Sequence, residues 1–166
     1  MRSANSTRGG LGLLLPMLLL RLLVAAPVLP AGTQAPPVAL RRADGREVHL
    51  RLKGRPHLLL FFSTWCRRCP AYVSYVTRYS GLERQNVALV PIDLLPSELP
   101  GDAQALWKRI GHAHTLYFDR YGEVTQAYRV TDLPTAVLVD GKGRVAGVLV
   151  GAQGRKSLDH LLRQAR

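Results

Sequence analysis

The chain of 166 residues holds two cysteines, Cys66 and Cys69, in the run Phe61-Phe62-Ser63-Thr64-Trp65-Cys66-Arg67-Arg68-Cys69-Pro70. Two intervening residues let the sulfurs meet across one helical turn, so a mixed disulfide formed at Cys66 can be displaced by Cys69. That is the chemistry of thiol-disulfide exchange, with Cys66 as the attacking sulfur and Cys69 as the resolving one. A static bridge or half of a metal site would use the same residue types. Tetrahedral zinc needs two more ligands, and His49, His57, His112, His114 and His160 include no H-x-x-x-H pair and meet no second C-x-x-C. No metal site and no cofactor are expected.

Such a pair must be held by the elements on either side of it. Leu58 to Phe62 is a continuous apolar run, as in a strand buried on both faces. From Pro70, the residues Tyr72, Val73, Tyr75, Val76 and Tyr79 recur at helical spacing. The cysteines therefore fall at a strand-to-helix turn. Unpaired backbone N–H groups and the positive end of the macrodipole there favour the thiolate, the attacking form.

Length allows one domain with a real core. Formal charge is +12, and setting aside Arg2, Arg8 and Arg21 leaves +9 on the rest. A basic surface suits acidic partners or anionic lipid headgroups. Nucleic acid is not an expected partner, because the arginines are scattered and carry no motif for it. Residues 1–32 read as a signal peptide or an N-terminal membrane anchor: Arg2 and Arg8 precede Leu11 to Leu29, which is apolar apart from Arg21. No clean cleavage site stands near Ala25-Ala26-Pro27, and a charge like Arg21 costs about 2.5 to 3.5 kcal/mol at mid-span, so both fates stay open. Either one exports the domain at 33–166. No lipobox cysteine is present.

Within that domain, Thr33 to Pro37 reads as a linker, and Val38–Leu40 and Val48–Leu52 as strands joined through Asp44-Gly45. Asn86 to Asp93 is a further apolar strand that Pro91 should end or bulge. With the buried strand and first helix it makes a β-α-β unit. Asp102 to Ile110 is a short helix, Thr115 to Phe118 a strand, and Glu123 to Tyr128 a helical turn or two. Ala136–Asp140 and Val145–Val150 form a hairpin through Gly141-Lys142-Gly143, and Lys156 to Arg166 closes the chain as a helix with Leu158, Leu161 and Leu162 on one face.

Trp65-Cys66-x-x-Cys69 after a hydrophobic strand, with Leu133-Pro134-Thr135 some way downstream, resembles the thioredoxin superfamily over about residues 36 to 166. More narrowly, it resembles the membrane-tethered, extracytoplasmic TlpA-type branch that includes the reductases of cytochrome c maturation. The resemblance implies an α/β thioredoxin fold: a central mixed sheet flanked by helices, with an N-terminal β-hairpin and an inserted helix at Asp102–Ile110. It implies a cis Pro134 facing the cysteines, with backbone beside it that pairs with substrate. Trp65, Leu133, Pro134 and Thr135 would then bind substrate, Trp65 shielding Cys66 or serving as a core aromatic.

The expected function is a periplasmic or otherwise extracytoplasmic thiol-disulfide oxidoreductase that reduces client proteins such as apocytochrome c. It would be secreted or tethered to the inner membrane, and supplied by a membrane or exported electron donor. The alternatives are a thiol oxidant or disulfide isomerase and, from another class, a copper chaperone of thioredoxin fold. For that rival, His112-Ala113-His114 supplies imidazoles on one face of a strand.

Four positions depart from the family pattern. Arg67 and Arg68 stand between the cysteines, where two guanidinium groups tune Cys66 toward the thiolate and make the protein a better oxidant. Leu60 occupies a position where thioredoxin has a buried proton-handling carboxylate, leaving Glu83, Asp93 or a water for that task. Pro70 replaces a basic residue.

Overall fold

A computed structural model describes residues 29–94, 100–110 and 114–165. The apolar segment before Leu29, and His112 with Ala113, lie outside the described residues. Among those described, no helix is long and apolar enough to cross a membrane.

Seven strands form one mixed sheet in the order β2-β1-β5-β4-β3-β6-β7. The apolar run becomes β3 (His57–Phe62), paired in parallel with β4 (Ala88–Leu94) and antiparallel with β6 (Thr135–Val139). β5 (Tyr117–Asp119) continues the parallel set beyond β4, and β7 (Val145–Val150) closes the other side against β6. The Asp44-Gly45 hairpin is β1 (Val38–Arg41) and β2 (Glu47–Leu50), docked on β5. Five helices connect them: α1 (Cys69–Thr77), α2 (Gly81–Arg84), α3 (Pro100–Ile110), α4 (Glu123–Ala127) and α5 (Arg155–Arg163).

Strand periodicity splits the core into two layers. Leu58, Leu60 and Phe62 point to the face covered by α1, α2, α3 and α5, where Tyr72, Val73, Trp107, Leu158 and Leu162 pack. Leu59 and Phe61 point the opposite way, under α4 and the N-terminal hairpin, beside Val38, Leu40 and Tyr128. All five residues Leu58 to Phe62 are fully buried, as expected for a central strand flanked on both sides.

Two expectations are corrected. Pro91 neither ends nor bulges β4: it lies within the strand, opposite Leu60, and pairing runs on to Asp93. On the β5 side pairing begins only at Ile92, so a missing N–H facing that side removes no ladder bond. The Thr33–Pro37 stretch is no free linker. Val145 N–H donates to Thr33 O at 2.9 Å, Ala35 N–H to Gly143 O at 2.9 Å, and the Tyr128 hydroxyl to Pro36 O at 2.9 Å. This strap seals the second core layer.

Candidate active site

β3 delivers the chain to the active-site turn at the carboxyl end of the parallel strands. Cys66 N–H donates to Ser63 O at 3.3 Å and Cys69 N–H to Cys66 O at 2.9 Å, and α1 begins at Cys69. Pro70 fits because a first-turn N–H would have no intrahelical partner anyway. No side chain caps this helix and no acidic residue stands in its first turn. The positive end of its dipole is thus left uncompensated toward the sulfurs.

Cys66 and Cys69 are joined in a disulfide with their Cα atoms 5.3 Å apart. Their exposures differ: Cys69 is wholly buried, whereas Cys66 keeps 8% of its surface. Of the two cysteines, only Cys66 has surface open to solvent. Trp65 is 62% exposed, so it is not a core aromatic, and Arg67 and Arg68 are both exposed.

The Leu133–Pro134 peptide bond is cis. Pro134 is buried and its carbonyl accepts Gly151 N–H at 2.8 Å. Next to it, Thr135 lies between Phe61 and Val150 in the sheet. Leu133 to Thr135 therefore stand beside the end of β3 that leads into the cysteines. Leu133 is half-buried and packs against both core layers. Thr135 is buried and its hydroxyl donates to Asp132 O at 2.7 Å, so its side chain braces the loop instead of facing solvent. Val150, at the end of the edge strand beside Thr135, is 42% exposed. Sequence reasoning did not single it out, since alternation along a strand does not say which end an incoming chain would meet.

Three further groups complete the surroundings. Asp93 is wholly buried opposite Phe62, on the sheet face that carries Leu60 and the cysteines' layer. Glu83, by contrast, is exposed on α2, beyond the far end of α1. Tyr72, one turn into α1 from Cys69, is pushed up to about 12 by burial. It stays neutral at ordinary pH and adds no negative charge beside the thiols. An open recess of about 480 Å³ separates the site from the inserted helix, lined by Thr64, Pro70, Asp102, Ala105, Leu106 and Arg109.

Among the described residues, His114 does not join this site. His114 Nε2 lies 3.2 Å from Thr77 O, at the last residue of α1. A nine-residue helix at 1.5 Å per residue puts roughly 12 Å between that position and Cys69.

Residues 43–166 match the thioredoxin-like domain family. The chain is 30% identical over 122 residues to the thiol-disulfide oxidoreductase ResA of Bacillus subtilis, covering 72% of this chain and 67% of that protein. To ResA of Geobacillus thermodenitrificans it is 28% identical over 129 residues, covering 76% and 73%. Among solved structures, the Chlorobium tepidum protein assigned as thiol:disulfide interchange protein DsbE superposes with a TM-score of 0.69 at 26% identity, over 82% of this chain and 98% of that one. A disulfide at the head of α1 and a cis proline at the neighbouring strand start agree with those likenesses: the chain belongs to the thioredoxin-like family, as a thiol-disulfide oxidoreductase of the ResA and DsbE type.

Proposed function

We propose that the protein works outside the cytoplasm as a reductant of a specific disulfide in a client protein, with apocytochrome c the foremost client by family resemblance. In the reduced protein, the Cys66 thiolate attacks one sulfur of the client disulfide. A mixed disulfide forms and the other client sulfur leaves as a thiolate that takes up a proton. Cys69 then loses its proton and attacks the Cys66 sulfur, the client departs with both sulfurs reduced, and the Cys66–Cys69 disulfide remains. A membrane or exported dithiol donor returns the two electrons.

The observation that carries this reading is the unequal exposure of the two cysteines, 8% against 0%, which supports Cys66 as the entry point and Cys69 as the resolver. Trp65, Leu133, Pro134 and Thr135 would form the client groove, Thr135 through its support of the loop. Asp93 would receive the Cys69 proton, a role supported by its lying on the same sheet face while Leu60 offers no acid.

A thiol oxidant or isomerase is the second reading, favoured by the two exposed guanidinium groups beside Cys66. The copper chaperone loses ground because His114 stands at the wrong end of α1.

The test is Cys69→Ser in a host that exports the protein. A mixed disulfide with a c-type apocytochrome, held through Cys66, is the expected product. Capture of no client, or the same adducts in Cys66→Ser, refutes the assignment.

A further inference from the structure

We infer that the end of the domain opposite the thiols is a docking surface for the anionic phospholipid headgroups of a membrane. This rests on the reading above that the protein works outside the cytoplasm, takes the uncleaved-anchor fate for its leucine-rich start, and adds which face meets the lipid.

Strand direction defines the two ends. β3 runs from His57 up to Phe62 and the cysteines, while β6 runs down from Thr135, beside Pro134, to Val139. The lower end therefore includes the turn before β3, the turn joining β6 to β7 and the turn leading from α2 into β4. The first two are bonded to each other, Gly54 N–H donating to Gly141 O at 2.9 Å. Lys53 and Arg55 project from one and Lys142 and Arg144 from the other, all four exposed.

Asp140 is the sole acid in these two turns, and its carboxylate accepts Lys142 N–H at 2.8 Å and Arg144 N–H at 2.9 Å. It is engaged with its own turn's backbone. None of the four cations pairs with a described carboxylate. The result is a compact cationic patch on these two turns, while the adjoining turn before β4 adds one exposed acid, Glu83, and one exposed base, Arg84.

The leucine-rich segment joins the domain at this same end. Leu29, at the start of the described chain, is buried in the layer that holds Val139 and Val145, the lower ends of β6 and β7. Gly32 N–H then donates to Val145 O at 2.7 Å, and Arg144 Nη1 to Gly32 O at 3.0 Å. Leu29 follows Val28 directly, so an apolar segment held in a bilayer would bring these turns to the headgroups. Charge and point of attachment agree on one orientation, with Cys66 facing away at a height of at least ~17 Å, the rise of β3 alone.

Each basic side chain at an anionic surface contributes about fivefold to the apposed population. Four make this orientation dominant at low salt, and the effect fades once the screening length drops to about 3 Å at 1 M salt.

The test reconstitutes the full chain into vesicles of phosphatidylcholine alone or with phosphatidylglycerol. Flotation is measured together with amide hydrogen exchange. Residues 52–56 and 140–145 should exchange at least about fivefold more slowly with phosphatidylglycerol present. That protection should vanish in 1 M salt and in K53E/R55E/K142E/R144E, with residues 64–70 unaffected. Equal exchange on both vesicles overturns the docking surface and leaves the cluster to an acidic protein. Protection centred on 64–70 overturns it too, as does failure to float with either lipid. Flotation on pure phosphatidylcholine reports the anchor separately: lost there but retained with phosphatidylglycerol, it would defeat the anchor and uphold the surface.

Discussion

Replacing Arg67 and Arg68 together with alanine removes two positive charges next to Cys66 while leaving every described core contact in place, because both side chains are exposed. Adjacent Cα atoms lie 3.8 Å apart, and an extended arginine carries its charge roughly 7 Å from the neighbouring sulfur. Coulomb's law then gives about 0.6 kcal/mol per charge in water and about twice that at half its dielectric constant. Exposed pairs measured in proteins fall in the range of about 0 to 1 kcal/mol, so the two together hold the reduced thiolate by about 1 to 2 kcal/mol. For a two-electron couple about 1.4 kcal/mol equals 30 mV. The double variant should therefore be about 20 to 40 mV more reducing, a fivefold to twentyfold change in its equilibrium with glutathione. The assay is redox equilibration at pH 7, following the disulfide by alkylation, at 0.05 M and 1 M salt. The shift should shrink at high salt. A shift of the opposite sign, no shift at low salt, or one above about 100 mV would refute solvated-charge reasoning. Since thioredoxin and DsbA differ by about 150 mV, the expected value also means that these arginines alone do not convert a reductant into an oxidant.

Asp93→Asn should slow resolution of the mixed disulfide by roughly 10² if Asp93 takes the Cys69 proton, with the loss diminishing as pH rises; stopped-flow release of a fluorescent client would measure it. Asp119 is buried and accepts hydrogen bonds from Val124 N–H, Thr125 N–H and the Thr125 hydroxyl, at 3.4, 2.7 and 2.6 Å. Asp119→Ala strips the start of α4 and should cost about 2 to 4 kcal/mol in urea unfolding. Partial burial, with the charge of Arg55, holds His57 below its ordinary value of 6.5. The folded form thus resists a proton that the unfolded form accepts. The stability due to neutral His57 is complete above pH 6.5 and is lost as pH falls through the depressed folded value. His57→Gln should flatten that part of the pH-stability curve between pH 7.5 and 5; an identical slope in the variant would refute it.

Local patterns in this chain were readable where one segment decides the outcome. The apolar run Leu58–Phe62 can only be a two-faced strand, and Leu158, Leu161 and Leu162 define the buried side of α5 without reference to anything distant. Positions whose meaning depends on register were not readable. Asp93 acquires its place by standing opposite Phe62, and no one-dimensional pattern distinguishes it from a strand-end turn residue. Pro91 looked like a terminator because its tolerance depends on where β5 begins pairing. Trp65 sits in an apolar sequence context yet projects to solvent, since the chain has already left the sheet at Ser63. The strap at Thr33–Pro37 is held by backbone bonds to residues more than a hundred positions away, a contact that composition cannot signal.

In the proposed mechanism, burial also sets the order of the chemical steps. Cys69 has no exposed surface, so a client sulfur cannot approach it without local opening, and the sulfur within its reach is the one already bonded to its neighbour across the turn. Attack from outside must begin at Cys66, and release must follow from Cys69. A second client cannot intercept the resolver in between. In the proposed mechanism, with so little of Cys66 showing, a client disulfide would have to be presented on a narrow strand or loop. Selection by shape then precedes selection by potential. A 20 to 40 mV adjustment from arginines can tune the traffic through such an opening, but the opening itself decides which disulfides are ever tested.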